Sequence, residues 1–297
     1  MEPEPTVARR DDVYEVIIVR HGTRESSRSQ LYLNYDDYGQ VDAPMRIDYY
    51  FWVVRNHART ILIDLGYSAR AAQQRGREVL CDPVEIWRQL GVEPATFTGD
   101  IVITHAHWDH TGHVAAFPRA RFIMSQREYG FWAGDASAPL LFRHLIDEDD
   151  LAALANVHAE GRLDLTASGL ELAPGVRLVP GAGHTPGLLM VEVATLEGSV
   201  LLASDAAHFD EEVECDMPFR HMTNLEASYA TFGSIRARRD SVVLAGHEPG
   251  VLERFPPLTG PLRTHASVVS PLPHTTPTPA RVAPGGSHDR QPHPPQH

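Results

Sequence analysis

Short apolar runs recur along this chain, and each gives way to a turn marked by Gly, Pro or His. Asp100–Thr104, Val176–Pro180, Ser199–Ala203 and Ser241–Ala245 are brief, rich in β-branched residues and largely continuous, the pattern of buried strands. Residues 13–66 carry three further strand-like runs, with 49–54 and 60–63 joined by a turn near Asn56 and His57. Asp82 followed by Pro83 predicts a capped helix over 83–90. Another helix is expected to begin near Gly112, a strand over 120–124, a mostly helical stretch over 126–159, at least three strands over 163–203, and a helix over 225–238 behind Asn224. This order of strands, helices, strands and helices predicts an α/β chain: an αββα sandwich of two packed β-sheets with helices on the outer faces.

Composition sets the edges of that domain. Residues 1–12 are charged and Pro-bearing and are expected to form a flexible N-terminal arm; 13–255 form the folded domain. From 256 to 297 Pro, His, Thr and Ser dominate, and a segment so poor in apolar residues is expected to stay disordered. The net charge of -13 argues against nucleic-acid partners and against an anionic membrane surface. Every one of the 26 basic residues is arginine. No apolar run is long enough to span a membrane and no basic, apolar leader is evident, so a cytoplasmic location is expected. Cys81 and Cys215 read as free thiols rather than a disulfide.

Candidate chemistry concentrates where strands end. His105-Ala-His107-Trp-Asp109-His110 follows the 100–104 run and offers ligands for two metal ions. If extended geometry persisted through it, His105, His107 and Asp109 would share one face and His110 would point elsewhere. His184 follows the 176–180 run, Asp205 the 199–203 run and His247 the 241–245 run. Strand-end loops on a rigid sheet are where functional side chains converge. Trp108 lies inside the motif and is a candidate to face substrate; Tyr49, Tyr50, Phe51, Trp52, Phe131 and Trp132 read as core or as pocket lining. The triplet Arg20-His21-Gly22 mimics histidine phosphatases, but the helices such a site needs are not predicted around it.

The set His105, His107, Asp109, His110, His184, Asp205 and His247 resembles the metallo-β-lactamase superfamily in its dinuclear form. The segments Tyr14–Ile18, Gly22–Glu25, Asp48–Trp52 and Thr60–Gly66 resemble its N-acyl-homoserine lactonase-like branch. The resemblance implies two Zn2+ per chain, with iron, manganese or cobalt compatible with the same donors. It assigns His105, His107 and His184 to one metal, Asp109, His110 and His247 to the other, and Asp205 as the bridge. It further implies a hydrolase in which a hydroxide held between the metals opens a small lactone, with Asp109 returning a proton to the leaving oxygen. The alternative is an ester or thioester hydrolase of a biosynthetic pathway. Lactonase relatives commonly carry tyrosine three positions after the bridging Asp; here His208 stands there and can donate a hydrogen bond from a similar place. The expected partner is a small-molecule lactone or ester, with no nucleic acid and no membrane; a homodimer stays open.

Overall fold

A computed structural model describes residues 12–167 and 169–272. Among the described residues, thirteen strands form two sheets, and the helices include α1 (Arg28–Leu31), α2 (Ala69–Arg75) and α6 (Leu140–Arg143). In the first, β1 (Glu15–Ser27) pairs antiparallel with β2 (Pro44–Arg55), which pairs antiparallel with β3 (Thr60–Ile63). Parallel pairing then carries the sheet through β5 (Asp100–Val102), β6 (Arg121–Ser125) and β7 (Leu163–Thr166), while the two-residue β4 (Glu78–Val79) adds to β1. The second sheet runs in the order β12-β11-β10-β9-β8, from Ser241–Ala245 through Gly198–Ser204, Leu189–Thr195 and Val176–Pro180 to Glu171–Ala173.

The two-residue period of the strands sorts their side chains into separate layers. Val16, Ile18, Tyr50, Trp52 and Val54 point between the sheets and pack on Leu178, Leu189, Val191 and Leu202. Their neighbours Ile17, Val19, Phe51 and Val53 point outward, against Trp87 of helix α3 (Pro83–Gln89), Trp132 of α5 (Gln126–Ala133) and Leu154 of α7 (Glu148–Ala159). Because both faces of these strands are covered, their sequence is apolar without alternation. On the far side, Met190, Leu201 and Ala203 pack against Val213 of α8 (Asp210–Cys215) and Phe232 and Ile235 of α9 (Leu225–Arg236). The predicted four-layer sandwich is what the chain forms. The caps read from sequence are in place: Asp82 accepts from Val84 N–H at 2.9 Å and Asn224 from Ala227 N–H at 2.9 Å.

Two expectations need correction. The helix expected from Gly112 instead begins inside the motif, as α4 (Trp108–Thr111), with a 3-10 turn at Val114–Ala116 behind it. The folded domain also does not stop at 255. Ala266–Ser270 forms β13, which pairs antiparallel with β1 and closes the edge of the first sheet. Ala266 and Val269 are buried, so Ala-Ser-Val-Val-Ser supplies enough apolar surface to dock despite its Pro- and His-rich surroundings. The remainder of the expected tail, from 273, lies outside the described residues, as do residues 1–11 of the expected arm over 1–12. No helix among the described residues is long and apolar enough to cross a membrane.

Candidate metal centre and cleft

The four strand ends meet at one rim of the sandwich. After β5 the backbone stays extended only through His107, which has φ −67 and ψ 152 and caps α4. The single helical turn then carries Asp109 and His110 toward His247, with the His110 ring still 4.0 Å from that of His105. The motif is therefore split by a helix start rather than by strand alternation. His105, His107, His184 and Asp205 form one group and Asp109, His110 and His247 a second, with the donor atoms of each within 4.8 Å of one another. All seven residues are buried. Close backbone approach makes this convergence feasible: a Cβ on Gly246 would lie 2.6 Å from the Ser204 carbonyl carbon and 2.8 Å from Asp205 Oδ1. Ser204, directly before Asp205, takes a left-handed φ of 48 that a non-glycine residue adopts only at a cost.

Asp205 joins the two groups. Its Oδ2 lies 3.3 Å from His184 Nε2 and 3.6 Å from His105 Nε2, while its Oδ1 lies 3.3 Å from His110 Nε2 and 3.1 Å from His247 Nε2. Oδ1 thus faces the second set alone, whereas Oδ2 reaches both, since it also lies 3.2 Å from His247 Nε2. Asp109 faces the second set alone, with Oδ1 3.8 Å from His110 Nε2 and Oδ2 3.8 Å from His247 Nε2.

Outward-facing ring nitrogens fix which atom points inward. His110 Nδ1–H donates to Asp64 Oδ2 at 2.8 Å, His247 Nδ1–H to the Asp48 carbonyl at 2.7 Å, and His184 Nδ1–H to the His221 carbonyl at 2.7 Å. Thr104 Oγ1 gives its proton to Asp64 at 2.7 Å, so it accepts from His105 Nδ1–H at 3.1 Å. Imidazoles held this way present a lone pair to the interior, the usual outer arrangement around a metal. His105 Nε2, His110 Nε2 and Asp205 Oδ1 are buried with no hydrogen-bond partner. Burial, together with neighbouring imidazoles, pushes His105, His107 and His184 well below the ordinary histidine range, into the neutral form that ligates metal. Burial also acts against charge on His110, yet the Asp205, Asp64 and Asp109 carboxylates outweigh it and raise its pKa, as a locus built for positive charge would. The donor set fits divalent cations in both groups.

Two buried carboxylates that the sequence did not reveal hold this arrangement. Glu128 of α5 accepts from Trp132 Nε1–H at 2.6 Å, Thr185 Oγ1–H at 2.7 Å, Gly187 N–H at 2.9 Å and Ala106 N–H at 3.2 Å. It ties the loop of His105 and His107 to the loop of His184. Glu212 of α8 lies beside His208, whose Nδ1 is 3.2 Å from Glu212 Oε1 and whose Nε2 is 3.2 Å from Asp205 Oδ2. Neither approach has the alignment of a hydrogen bond, so the ring is held chiefly by Phe219 stacked 3.8 Å away at 14°. Burial opposes charge on His208, and the flanking carboxylates of Glu212 and Asp205 override it to hold the pKa at about 9. Asp64 orients His110 and anchors Thr104, accepting from its N–H as well as its hydroxyl.

A cleft of about 430 Å³ opens over the cluster, walled by Tyr49, Trp108 and Phe219 and reached past Arg24, Arg77 and Arg220. Trp108 therefore does face the site. Of the other aromatics singled out from sequence, only Tyr49 reaches the cleft; Tyr50, Phe51, Trp52 and Trp132 are core, and Phe131 packs at the core's edge. His21 is buried beneath Gly66 and Tyr67 with neither ring nitrogen bonded, and it does not line the cleft.

A family model described as the metallo-beta-lactamase superfamily matches residues 48–247, the span from the Asp48 carbonyl to the last histidine of the cluster. The chain belongs to the metallo-β-lactamase superfamily. Among curated superfamily relatives, the N-acyl homoserine lactonase AiiB of Agrobacterium fabrum is 35% identical over 135 residues, covering 43% of this chain and 47% of that protein. An N-acyl homoserine lactonase of Bacillus thuringiensis is 32% identical over 137 residues, covering 46% and 49%. The chain spans about half the length of the curated relatives it matches. Solved structures agree on the superfamily fold. An N-acyl homoserine lactone hydrolase with the product N-hexanoyl-L-homoserine bound at its catalytic metal centre superposes with a TM-score of 0.68 at 20% identity, over 82% of this chain and 96% of that one. The dizinc quorum-quenching lactonase AidC gives 0.65 at 19% identity, over 88% and 99%.

Proposed function

We propose that this chain is a zinc-dependent hydrolase that opens the ring of a small lactone, an N-acyl-homoserine lactone or a related compound. The observation that carries the reading is Asp205, whose one carboxylate contacts both histidine sets at the floor of an open cleft. His105, His107 and His184 would hold one ion and Asp109, His110 and His247 the other, with Asp205 shared. Bound there, divalent zinc would supply Lewis acidity toward a carbonyl oxygen and a water that ionises near neutral pH.

The chain's own groups complete the chemistry. Tyr49, Trp108 and Phe219 enclose the substrate and thin out the water around it. Water adds to the ring carbonyl, the ester C–O bond breaks, and the departing ring oxygen needs a proton. Asp109, at the cleft edge of the cluster, takes the proton from the attacking water on a carboxylate oxygen and passes it to that leaving oxygen. His208 stands three residues beyond Asp205, stacked on Phe219, where an N–H can turn toward the substrate carbonyl oxygen as negative charge grows on it. Glu212 acts as a positioning residue behind His208. A second reading, hydrolysis of an open-chain ester or thioester, draws support from His208 standing where lactonase relatives commonly have tyrosine.

Metal analysis of the purified protein, paired with hydrolysis of a panel of lactones, open esters and thioesters, tests the reading. Two zinc ions per chain and fastest turnover on lactones are expected. His184→Ala should lose one ion and most of the turnover. A fully active protein holding a single ion would overturn the dinuclear mechanism, and a panel in which only thioesters react would transfer the proposal to the second reading.

A further inference from the structure

In a chain with a net charge of -13, four arginines gather at the cleft. Arg24, Arg75, Arg77 and Arg220 all line it. Many arginines elsewhere find carboxylates, as Arg28 does with Glu211 at 2.6 Å and Arg121 with Asp100 at 2.7 Å and Asp164 at 3.0 Å. None of the four cleft arginines forms an ion pair among the described residues.

Their engagements are with neutral groups and leave donors free. Arg75 donates to the carbonyls of His144 at 2.6 Å and Ile146 at 2.7 Å, and its guanidinium rests 4.9 Å from the Trp108 ring centre. Arg77 donates from Nε to the Tyr49 hydroxyl at 2.7 Å, and to the Arg75 carbonyl. Arg220 gives one bond, to the Gln30 carbonyl at 3.0 Å. Arg24, half-buried on β1, makes none. Burial, with like charge from Arg77 and Arg220, lowers the pKa of Arg24, and burial lowers that of Arg75. The acids nearest Arg75 are Asp109, Asp147 and Asp150, which act on it at a distance. Asp109 belongs to the metal cluster and Asp147 is paired with Arg70 at 2.8 Å. A half-buried guanidinium fork with open donors, beside like charges, is built to receive a planar or tetrahedral anion.

We propose that the substrate carries an anionic group, a carboxylate or a phosphate, which Arg24 and Arg220 bind directly and Arg77 supports. The anion sits one side-chain layer above the reacting carbonyl, on the far side of Trp108 and Tyr49. The substrate class is therefore a small lactone or ester with an acidic group a few bonds from the scissile carbonyl, rather than one with a wholly neutral acyl chain. The ester-bond chemistry rests on the hydrolase reading above; the anion site does not.

The test uses the metal-replete protein and a matched pair of lactones, N-succinyl-homoserine lactone and its methyl ester, with a phosphonoacetyl counterpart as the phosphate arm. A charge-assisted Arg contact should favour the acid over the methyl ester by about ten-fold or more in kcat/KM, mostly through KM. Raising salt from about 0.05 to 0.5 M should erode that preference. In Arg24→Gln/Arg220→Gln the preference should shrink to roughly three-fold or less, and Arg24→Lys/Arg220→Lys should recover part of it. Equal or faster turnover of the methyl ester by the wild type overturns the proposal without reference to any variant. Should none of the lactones react, the hydrolase reading fails separately, and calorimetric titration with glutarate and phenyl phosphate decides the anion site. Binding that weakens about ten-fold in the double Gln variant supports it, and the tighter anion names the group. Binding equal in both proteins, as for an anion held by metal alone, or absent from the wild type, overturns it.

Discussion

The floor of the cleft and its rim are built on opposite principles. On the floor, Asp64 and Glu128 are surrounded by donors, and His105, His110, His184 and His247 have their outer nitrogens committed. On the rim, Arg24 and Arg220 keep most of their donors uncommitted. A buried carboxylate left without donors costs several kcal/mol, so the floor is over-determined and rigid. An arginine at the rim can remain hydrated until something binds. Fixed geometry belongs to the chemistry, and unsatisfied charge belongs to recognition.

If that contrast holds, damage to the floor should reach both stability and metal binding. Glu128→Ala leaves the indole N–H of Trp132, the Thr185 hydroxyl and the amides of Ala106 and Gly187 without an acceptor. A loss of about 3–5 kcal/mol in urea unfolding is expected, with weaker metal retention, because the loops of His107 and His184 lose their common tie. A variant as stable as wild type would show that the floor is not over-determined.

The His208 ring lies between the two regimes, boxed by carboxylates yet free of aligned hydrogen bonds. His208→Phe should keep its metal and its fold but lower kcat on lactones about ten- to a hundred-fold, because an oxyanion donor acts more in the transition state than in the ground state. His208→Tyr should restore much of the rate. Steady-state kinetics on metal-replete protein would remove the donor role if the Phe variant matched wild type on every lactone.

The smallest effect comes from Asp150, in the first turn of α7, a half-buried acid that breaks the floor's rule. Its Oδ2 has no hydrogen-bond partner, and burial, helped by Asp147, pushes its pKa up to about 7 from 3.8. Below pH 4 both folded and unfolded chains hold this proton. Between pH 4 and 7 the unfolded chain releases it while the folded chain keeps it, so stability declines as pH rises and stays reduced above 7. Asp150→Asn should flatten that slope and gain about 1 kcal/mol at pH 8, after allowing for the lost attraction of a carboxylate to the helix N-terminus, and nothing at pH 3.5. Unfolding curves at the two pH values measure it.

The same contrast explains what could be read from sequence. His105, His107, His184, Asp205 and His247 were legible because strand ends announce themselves through apolar runs that stop at Gly or Pro. The turn of helix at Trp108–Thr111 was not, since its cap His107 lends no side-chain hydrogen bond to mark the start. Glu128 and Glu212 read as ordinary solvent-facing acids of helices; only tertiary packing buries them. The arginines could not be grouped at all, because Arg24 comes from β1, Arg75 and Arg77 from either side of the Gly76 turn, and Arg220 from the loop after α8. β13 was hidden by composition, five residues with strand character inside a stretch dominated by proline and histidine.

That last strand sets the order in which the molecule can be completed. Val16 pairs with Val54 on one side and Ser270 on the other. The first partner follows closely in the chain, whereas the second emerges from the ribosome some 250 residues later. Throughout that interval Val16–Val19 presents an apolar strand with an open edge, the kind that recruits other chains. Once Ala266–Ser270 docks, its own outer side is met by Pro256–Leu258, where Leu258 N–H donates to Ala266 and Val268 N–H to Pro256. β13 thus closes late, over an edge that stays open through most of synthesis.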